Sequence, residues 1–121
     1  MLEGVCEMRE KQIEQKLVKA VKAAGGMCPK LVCPGTDGMP DRLALLGDGK
    51  IGFIEVKAPG KKPRALQLRR HKELLALGFP VYVLDDPEQI PIIVETIRKG
   101  AQNATRNRNE ERNEGNRFWS S

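Results

Sequence analysis

The sequence predicts an α/β fold with a central mixed sheet flanked by helices, in one domain of 121 residues. Three observations support this class. Residues 9–24 have the apolar spacing of a helix, two apolar segments flank the turn sequence GDGK, and the strand-like segment PVYVL follows a second helical pattern. The expected order of elements is therefore α-β-β-β-α-β-α.

The first helix is predicted over Arg9–Ala24. Ile13, Leu17 and Val21 recur every four residues, which places them on one face of a helix. Gly25-Gly26 follows and favours the end of the helix. The segment is therefore interpreted as a helix with one apolar face.

The sequence predicts three strands between the first helix and the second, and the signal is stronger for the last two of them. Met27–Val32 is predicted as a short strand, and the segment CPGTDGMPD after it as a loop because it is rich in Pro and Gly. Arg42–Leu46 and Ile51–Ala58 flank GDGK, which is the signature of a β-hairpin. GDGK lacks the glycine spacing and the following Ser or Thr of a phosphate-binding loop, so it is interpreted as a turn.

The second half of the domain is expected to be helix, strand and helix. Arg64–Leu77 is helical in pattern and ends before Gly78. Pro80–Leu84 is predicted as a strand, and a last helix runs from Pro87 to about Lys99, with Pro91 delaying its start. Residues 1–8 are interpreted as an N-terminal extension, residues 9–99 as the domain, and residues 100–121 as a polar flexible tail.

Charge and composition limit the classes of partner and the cellular location that we expect. The net charge of +5 and the pI of about 9.3 favour an anionic partner. No apolar run reaches membrane length, and the N-terminus lacks the apolar core of a secretion signal, so a cytoplasmic location is expected. Cys28 and Cys33 do not supply the four ligands of a closed zinc site, so these residues and Cys6 are interpreted as reduced thiols.

The hairpin brings two acids together. If residues 47–49 form a three-residue loop, Asp41 lies directly opposite Glu55, with Cβ atoms about 5 Å apart. Lys57 points to the same side as Glu55 because strand side chains alternate. A two-residue loop would instead place Asp41 opposite Val56, on the other face, unless a bulge corrected the register.

Two adjacent carboxylates repel each other, and a divalent cation relieves that repulsion. Carboxylate oxygens suit Mg²⁺ or Mn²⁺, which can polarise a phosphoryl oxygen and lower the pKa of a bound water. The amine of Lys57 would stabilise developing negative charge or orient the attacking water. These groups indicate phosphodiester hydrolysis, and the alternative is a structural cluster of ion pairs on the sheet.

The motifs MPD, which ends at Asp41, and EVK, which begins at Glu55, resemble those of the PD-(D/E)xK nuclease superfamily. The ordered set IEQKL, GMPDRL, FIEVKAPG, QLRRHKELLALG and VYVL is similar to the virus-type replication-repair nuclease (VRR-NUC) domain, in its small stand-alone phage and bacterial versions. The resemblance covers about Met8–Ile97. It implies a restriction-endonuclease-like core, Mg²⁺ or Mn²⁺ as the cofactor, and DNA as the substrate.

The resemblance also implies a role for each matching residue. Asp41 and Glu55 would bind the metal together with the backbone carbonyl of Val56, and Lys57 would be the catalytic lysine. Gln67 matches the glutamine of the helix that follows the E-x-K strand and supports the site from beside it. Its alternative is an exposed polar residue on a helix.

The resemblance implies a further metal ligand on the first helix. Glu14, in IEQKL, matches the acid that completes the metal site and is the favoured residue. Glu10 lies one turn earlier on the same stripe, so the choice between them is open. Both acids also fit the preference for negative charge near a helix N-terminus.

A basic segment follows the proposed site. The sequence contains no acid between Glu55 and Glu73, and this clustering is typical of phosphate-backbone binding, although a solvated basic helix face is the alternative. With only five aromatic residues in the chain, backbone contact with duplex or branched DNA is favoured over stacking on single strands. His71 is interpreted as a solvated or packing residue. The residues expected to contact DNA are Lys61, Lys62, Arg64, Arg69, Arg70 and Lys72.

The leading hypothesis is a divalent-metal-dependent DNA endonuclease that acts on branched DNA or Holliday junctions as a homodimer. It would act in the cytoplasm of a bacterial or phage-infected cell. The junction preference and the homodimer are implied by the resemblance alone. The alternatives are a DNA-binding module without catalysis and a nuclease that acts on ordinary duplex DNA.

Overall fold

The protein is described by a computed structural model over residues 2–100, with side chains from residue 9 onward. The helices are α1 (Leu2–Ala23), α2 (Ala65–Ala76) and α3 (Ile90–Arg98), and the strands are β1 (Arg42–Leu46), β2 (Lys50–Val56) and β3 (Val81–Leu84). Short 3₁₀ turns at 47–49 and 87–89 precede β2 and α3. Within residues 2–100, none of the helices is both long enough and apolar enough to cross a membrane.

Most boundaries agree with the sequence prediction to within two residues. The main difference is α1, which begins at Leu2, seven residues before the predicted start, because the apolar spacing marks only the part of a helix that contacts the core. α3 begins at Ile90, so Pro91 lies in its first turn, where its missing N–H has no intrahelical partner to lose. Residues 101–121 of the predicted tail lie outside the described residues, and the division into domain, extension and tail stays a prediction.

The sheet is mixed, as predicted, with β2 in the centre. β1 pairs with β2 in antiparallel orientation, and β3 pairs with β2 in parallel orientation. Leu46 pairs with Lys50, so residues 47–49 form the three-residue loop, which is one of the two alternatives that the sequence left open. Asp48 has a φ of +62° in this loop, the left-handed conformation that Asp tolerates better than most residues. The predicted α/β class is therefore confirmed.

The predicted strand at residues 27–32 is wrong as a regular strand. The segment does lie antiparallel beside β1, where Met27 and Leu45 exchange two backbone hydrogen bonds of 2.9 Å. Pro29 interrupts the ladder because it accepts a hydrogen bond from the β1 backbone but has no N–H to return one. Only two isolated β-bridges remain, so the described sheet has three strands.

The apolar core lies between one face of the sheet and the helices α1 and α3. Leu17 of α1, Ile54 of β2 and Ile97 of α3 are fully buried in this cluster. The close approach of α3 depends on Gly52, because a Cβ at that position would lie 2.5 Å from the Ile97 Cδ1. The cluster is therefore held in place by residues from all three elements.

The opposite face of the sheet is covered by α2 and has a different chemistry. Phe53 of β2 packs edge-to-face against Phe79, with ring centroids 5.8 Å apart. Next to this apolar contact, α2 buries the polar side chains of Gln67 and His71. The α2 face therefore positions polar groups, while the α1 and α3 face supplies the apolar core.

We expect Leu17→Ala to lower the free energy of unfolding by about 2 to 5 kcal/mol, because it leaves a cavity in the core. Leu77→Ala is the matched control, since Leu77 is 73% exposed, and its effect should stay within about 0.5 kcal/mol. Urea unfolding followed by circular dichroism measures both. Equal effects of the two substitutions would contradict the assigned core.

Candidate active site

The register of the β1–β2 hairpin places Asp41 and Glu55 side by side. Arg42 pairs with Ile54, so Asp41, the next residue outward, lies opposite Glu55. The Asp41 Oδ2 accepts a hydrogen bond of 2.8 Å from the backbone N–H of Val56, which fixes the carboxylate against β2. The structure thus brings together the two acids that the hairpin pattern pairs.

Glu55 is enclosed by side chains that contact both of its carboxylate oxygens. It is only 1% exposed. Its Oε2 accepts a hydrogen bond of 3.0 Å from Gln67 Nε2 and lies 3.7 Å from Lys57 Nζ, while its Oε1 lies 3.2 Å from His71 Nε2. The Gln67 amide is itself fixed, because its oxygen accepts a 2.7 Å hydrogen bond from the N–H of Arg64.

The environment shifts the proton equilibria of this group. Burial, followed by the charge of Asp41 and hydrogen bonding to it, raises the pKa of Glu55 to about 7, and Lys57 opposes this shift. Burial and the charge of Lys57 lower the pKa of His71, while Asp41 opposes that shift. Near neutral pH, Glu55 therefore exchanges a proton readily unless a cation offsets the charge of the two acids.

Comparison with known proteins gives two informative matches, although no family model matches the sequence. Over 86 residues the chain is 50% identical to "Putative nuclease p44" of Acyrthosiphon pisum secondary endosymbiont phage 1. The matched region covers 71% of this chain and 92% of that protein. A solved VRR_NUC domain superposes with a TM-score of 0.68 at 32% identity, covering 72% of this chain and 95% of that one. The chain belongs to the VRR-NUC nuclease family.

The helix acid favoured for this VRR-NUC site contacts an arginine, and its role as a metal ligand stays a prediction. Glu14 forms a 2.8 Å salt bridge with Arg42, and Glu10 is exposed. Arg42 directly follows Asp41 in the chain, so it points to the α1 side of the sheet, away from Glu55. Among the residues that the structure describes, no three His, Cys, Asp or Glu side chains form a group that could hold a metal ion.

His71 belongs to the VRR-NUC site, and sequence reasoning missed it. Of the two predicted alternatives, solvated or packing, the solvated one is wrong and the packing one agrees with the structure, because His71 is 6% exposed and contacts Glu55. The signal was present in the helix periodicity. Gln67, His71 and Leu74 follow at intervals of four and three, which is the spacing of one helix face, and all three are buried.

The predicted DNA-contact residues fall into two groups. Within residues 9–100, Lys61, Lys62, Arg64 and Lys72 are exposed and form no salt bridge. Arg69 and Arg70 both pair with Glu73. Arg70 also donates a 2.8 Å hydrogen bond to the carbonyl of Asp37, so it anchors the loop before β1 to α2. Only the first group has its full charge available to a ligand.

We expect the metal-free protein to lose stability relative to Glu55→Gln as the pH rises from 5 to 7.5. The folded-state pKa of Glu55 is about 7 and its ordinary value is 4.5, so the folded chain retains a proton that the unfolded chain releases in this window. The stability that this proton contributes is lost as the pH increases, by at most about 1.4 kcal/mol per pH unit.

Urea unfolding in EDTA at pH 5.5, 6.5 and 7.5 measures this difference. Asp41, Lys57 and His71 face Glu55 and remain in both proteins, so the comparison isolates the Glu55 carboxyl. Stability profiles that run parallel for the two proteins would contradict the raised pKa.

Proposed function

We propose that this VRR-NUC nuclease hydrolyses phosphodiester bonds in DNA with Mg²⁺ or Mn²⁺, and that it selects branched DNA or Holliday junctions as a homodimer. The observation that carries the proposal is the buried Glu55 carboxylate, which faces Asp41 and has Lys57 beside it. A buried carboxylate beside a second acid and a lysine is costly for stability and is typical of a site built for chemistry.

The donor groups fit a hard divalent cation. Mg²⁺ is commonly bound through one or two carboxylates and keeps several waters, and Asp41 and Glu55 supply two carboxylates. The pKa of Glu55 is raised first by burial and then by the charge of Asp41, and a bound cation would offset that second contribution. The carbonyl of Val56 would add a third protein oxygen. Glu14 would join these ligands only after releasing Arg42.

The side chains around the acids have separable tasks. When bound, the divalent cation polarises a phosphoryl oxygen and lowers the pKa of the attacking water. The Lys57 side chain is 18% exposed, so its ammonium can reach a substrate and stabilise the negative charge that develops on the phosphate. Gln67 and His71 contact different oxygens of Glu55 and thereby hold its carboxylate in one orientation.

The proposed DNA partner fits the charge distribution around this group. Lys61, Lys62 and Arg64 follow Lys57 closely in the chain and are exposed on the segment between β2 and α2. Cations there would hold the backbone next to the acids. A DNA-binding module without catalysis would have no use for a buried carboxylate that faces a second acid beside a lysine, so we favour the enzyme.

We expect the protein to introduce paired cuts into a labelled four-way junction in Mg²⁺ or Mn²⁺, and to leave it intact in EDTA. Asp41→Ala should abolish cleavage, because it removes one of the two carboxylates. A linear duplex of matched sequence, analysed on the same denaturing gel, tests the selectivity for branched DNA.

Other outcomes of this assay separate the parts of the proposal. Equal cleavage of both substrates would leave a nuclease that acts on ordinary duplex DNA. Tight binding without cleavage in either metal would leave a binding module. The homodimer is tested by sedimentation velocity at micromolar concentration with and without the junction, and a monomer under both conditions would exclude it.

We expect Lys57→Met to reduce cleavage by at least ~100-fold, because the ammonium no longer stabilises the transition state. Its dissociation constant for DNA should stay within about twofold of the wild type, since the Lys57 side chain is mostly buried and is paired with Glu55. Lys61→Met is the control and should show the reverse pattern, with weaker binding but normal cleavage at saturating DNA. Fluorescence anisotropy and single-turnover cleavage separate the two effects.

A further inference from the structure

A second cationic surface lies on the side of the sheet that faces α1. It is an open groove of about 440 Å³ between α1 and the edge of β1. Its charged lining residues are Lys11, Lys19, Lys30, Arg42 and Glu14. Neither the acid pair nor the predicted DNA-contact residues line this groove, which we call the α1 groove.

Two elements contribute the cations of the α1 groove. Lys11 and Lys19 lie eight residues apart on α1, and this spacing places them on the same helix face. Lys30 pairs with Arg42 through an isolated β-bridge, and directly opposed residues in such a pair share a face of the sheet. The lysines therefore converge on the groove from both of its walls.

Among the side chains described in residues 9–100, the groove carries more positive than negative charge. The charge of Arg42 is offset by Glu14 at 2.8 Å. Lys11, Lys19 and Lys30 form no salt bridge with any side chain described in residues 9–100. Three like charges around one groove repel each other, so an anion with several negative groups is the ligand that would relieve this repulsion.

The α1 groove begins next to the candidate active site. Arg42, in its wall, directly follows Asp41, so their Cα atoms lie about 3.8 Å apart while their side chains point to opposite faces. The backbone N–H of Leu31, next to Lys30, donates a 2.9 Å hydrogen bond to the carbonyl of Asp41. A polyanion that leaves the acid pair across the edge of β1 would therefore meet the groove.

We propose that the α1 groove binds the phosphate backbone of DNA beyond the edge of β1, with Lys11, Lys19 and Lys30 as the contacts. This inference rests on the proposed function, because it takes DNA as the ligand. It adds a second contact surface that is separate from Lys61 and Lys62, which do not line the groove. The substrate is then held by two separate groups of cations.

The test is the salt dependence of DNA binding in EDTA, where binding is measured without cleavage. Fluorescence anisotropy with a labelled four-way junction between 50 and 200 mM KCl, a range of about fourfold, gives the slope of log Kd against log salt. Lys11→Gln combined with Lys30→Gln should lower this slope by about 2, since each phosphate contact contributes about 0.9. Lys19→Gln alone should lower it by about 1.

The matched control is Arg98→Gln combined with Lys99→Gln, which also removes two positive charges but at the exposed end of α3. Its slope should equal that of the wild type. Equal slopes for the control and the groove variant, whether changed or unchanged, would overturn the proposal. Urea unfolding checks that the variants fold, which is expected because Lys11 and Lys30 are exposed.

Two further outcomes separate this inference from the proposed function. If the wild type shows no salt-dependent binding to DNA, the proposed function fails and the groove assignment fails with it. A different result would be that wild-type binding depends on salt, Lys61→Gln combined with Lys62→Gln lowers the slope, and Lys11→Gln combined with Lys30→Gln leaves it unchanged. In that case only the groove assignment fails. The groove variant could instead bind polyglutamate more weakly than the wild type does and bind DNA normally. That result would assign the groove to an acidic protein segment and overturn the proposal.

Discussion

The antiparallel register between β1 and β2 is the constraint on which the site depends. A shift of one residue would move Asp41 to the other face of the sheet and separate it from Glu55. The register is held at the turn, where Leu46 pairs with Lys50 across three residues. It is held again at the open end, where the N–H of Val56 donates to the Asp41 carboxylate. The hairpin is thus fixed at both ends, and one of the two acids, Asp41, itself helps to fix it.

The two faces of the sheet have different roles because one of them holds the Glu55 carboxylate. Burial of Glu55 is tolerated because Gln67, His71 and Lys57 surround its oxygens. α2 therefore uses its inner face for polar contacts and contributes little to the apolar cluster. The cohesion of the domain comes mainly from α1 and α3, where Leu17 lies in a continuous apolar core. Changes on the α2 face would thus alter chemistry more than they alter folding.

Much of this arrangement was accessible from the sequence because local signals determine it. The hairpin and its loop follow from two apolar segments and GDGK, and the pairing of Asp41 with Glu55 follows from the loop length. Gln67 was placed beside the site by resemblance, and it does contact Glu55. The contact of His71 with Glu55 was missed because its basic neighbours left open whether it was solvated or packed, although its spacing from Gln67 places it on the buried face.

The remaining differences depend on tertiary contacts that a linear pattern does not contain. Periodicity shows which face of α1 is apolar, but it does not show which partner a flanking acid will find. Glu14 lies beside Arg42 for that reason, and the sequence offered no means to choose between Arg42 and a metal. The strand at residues 27–32 was overestimated because a single missing N–H at Pro29 breaks the ladder although the chain still follows β1.

The hydrogen bond between the Leu31 N–H and the Asp41 carbonyl closes the base of the loop at residues 32–40. The middle of that loop is also tied down, since Arg70 binds the Asp37 carbonyl and a Cβ at Gly38 would lie 2.8 Å from the Leu66 Cγ. The turn at residues 34–36 is exposed and has open space around Gly35. Extra residues there would leave Asp41 undisturbed, so this turn is a place where a base-reading element could be grafted to make a sequence-selective enzyme.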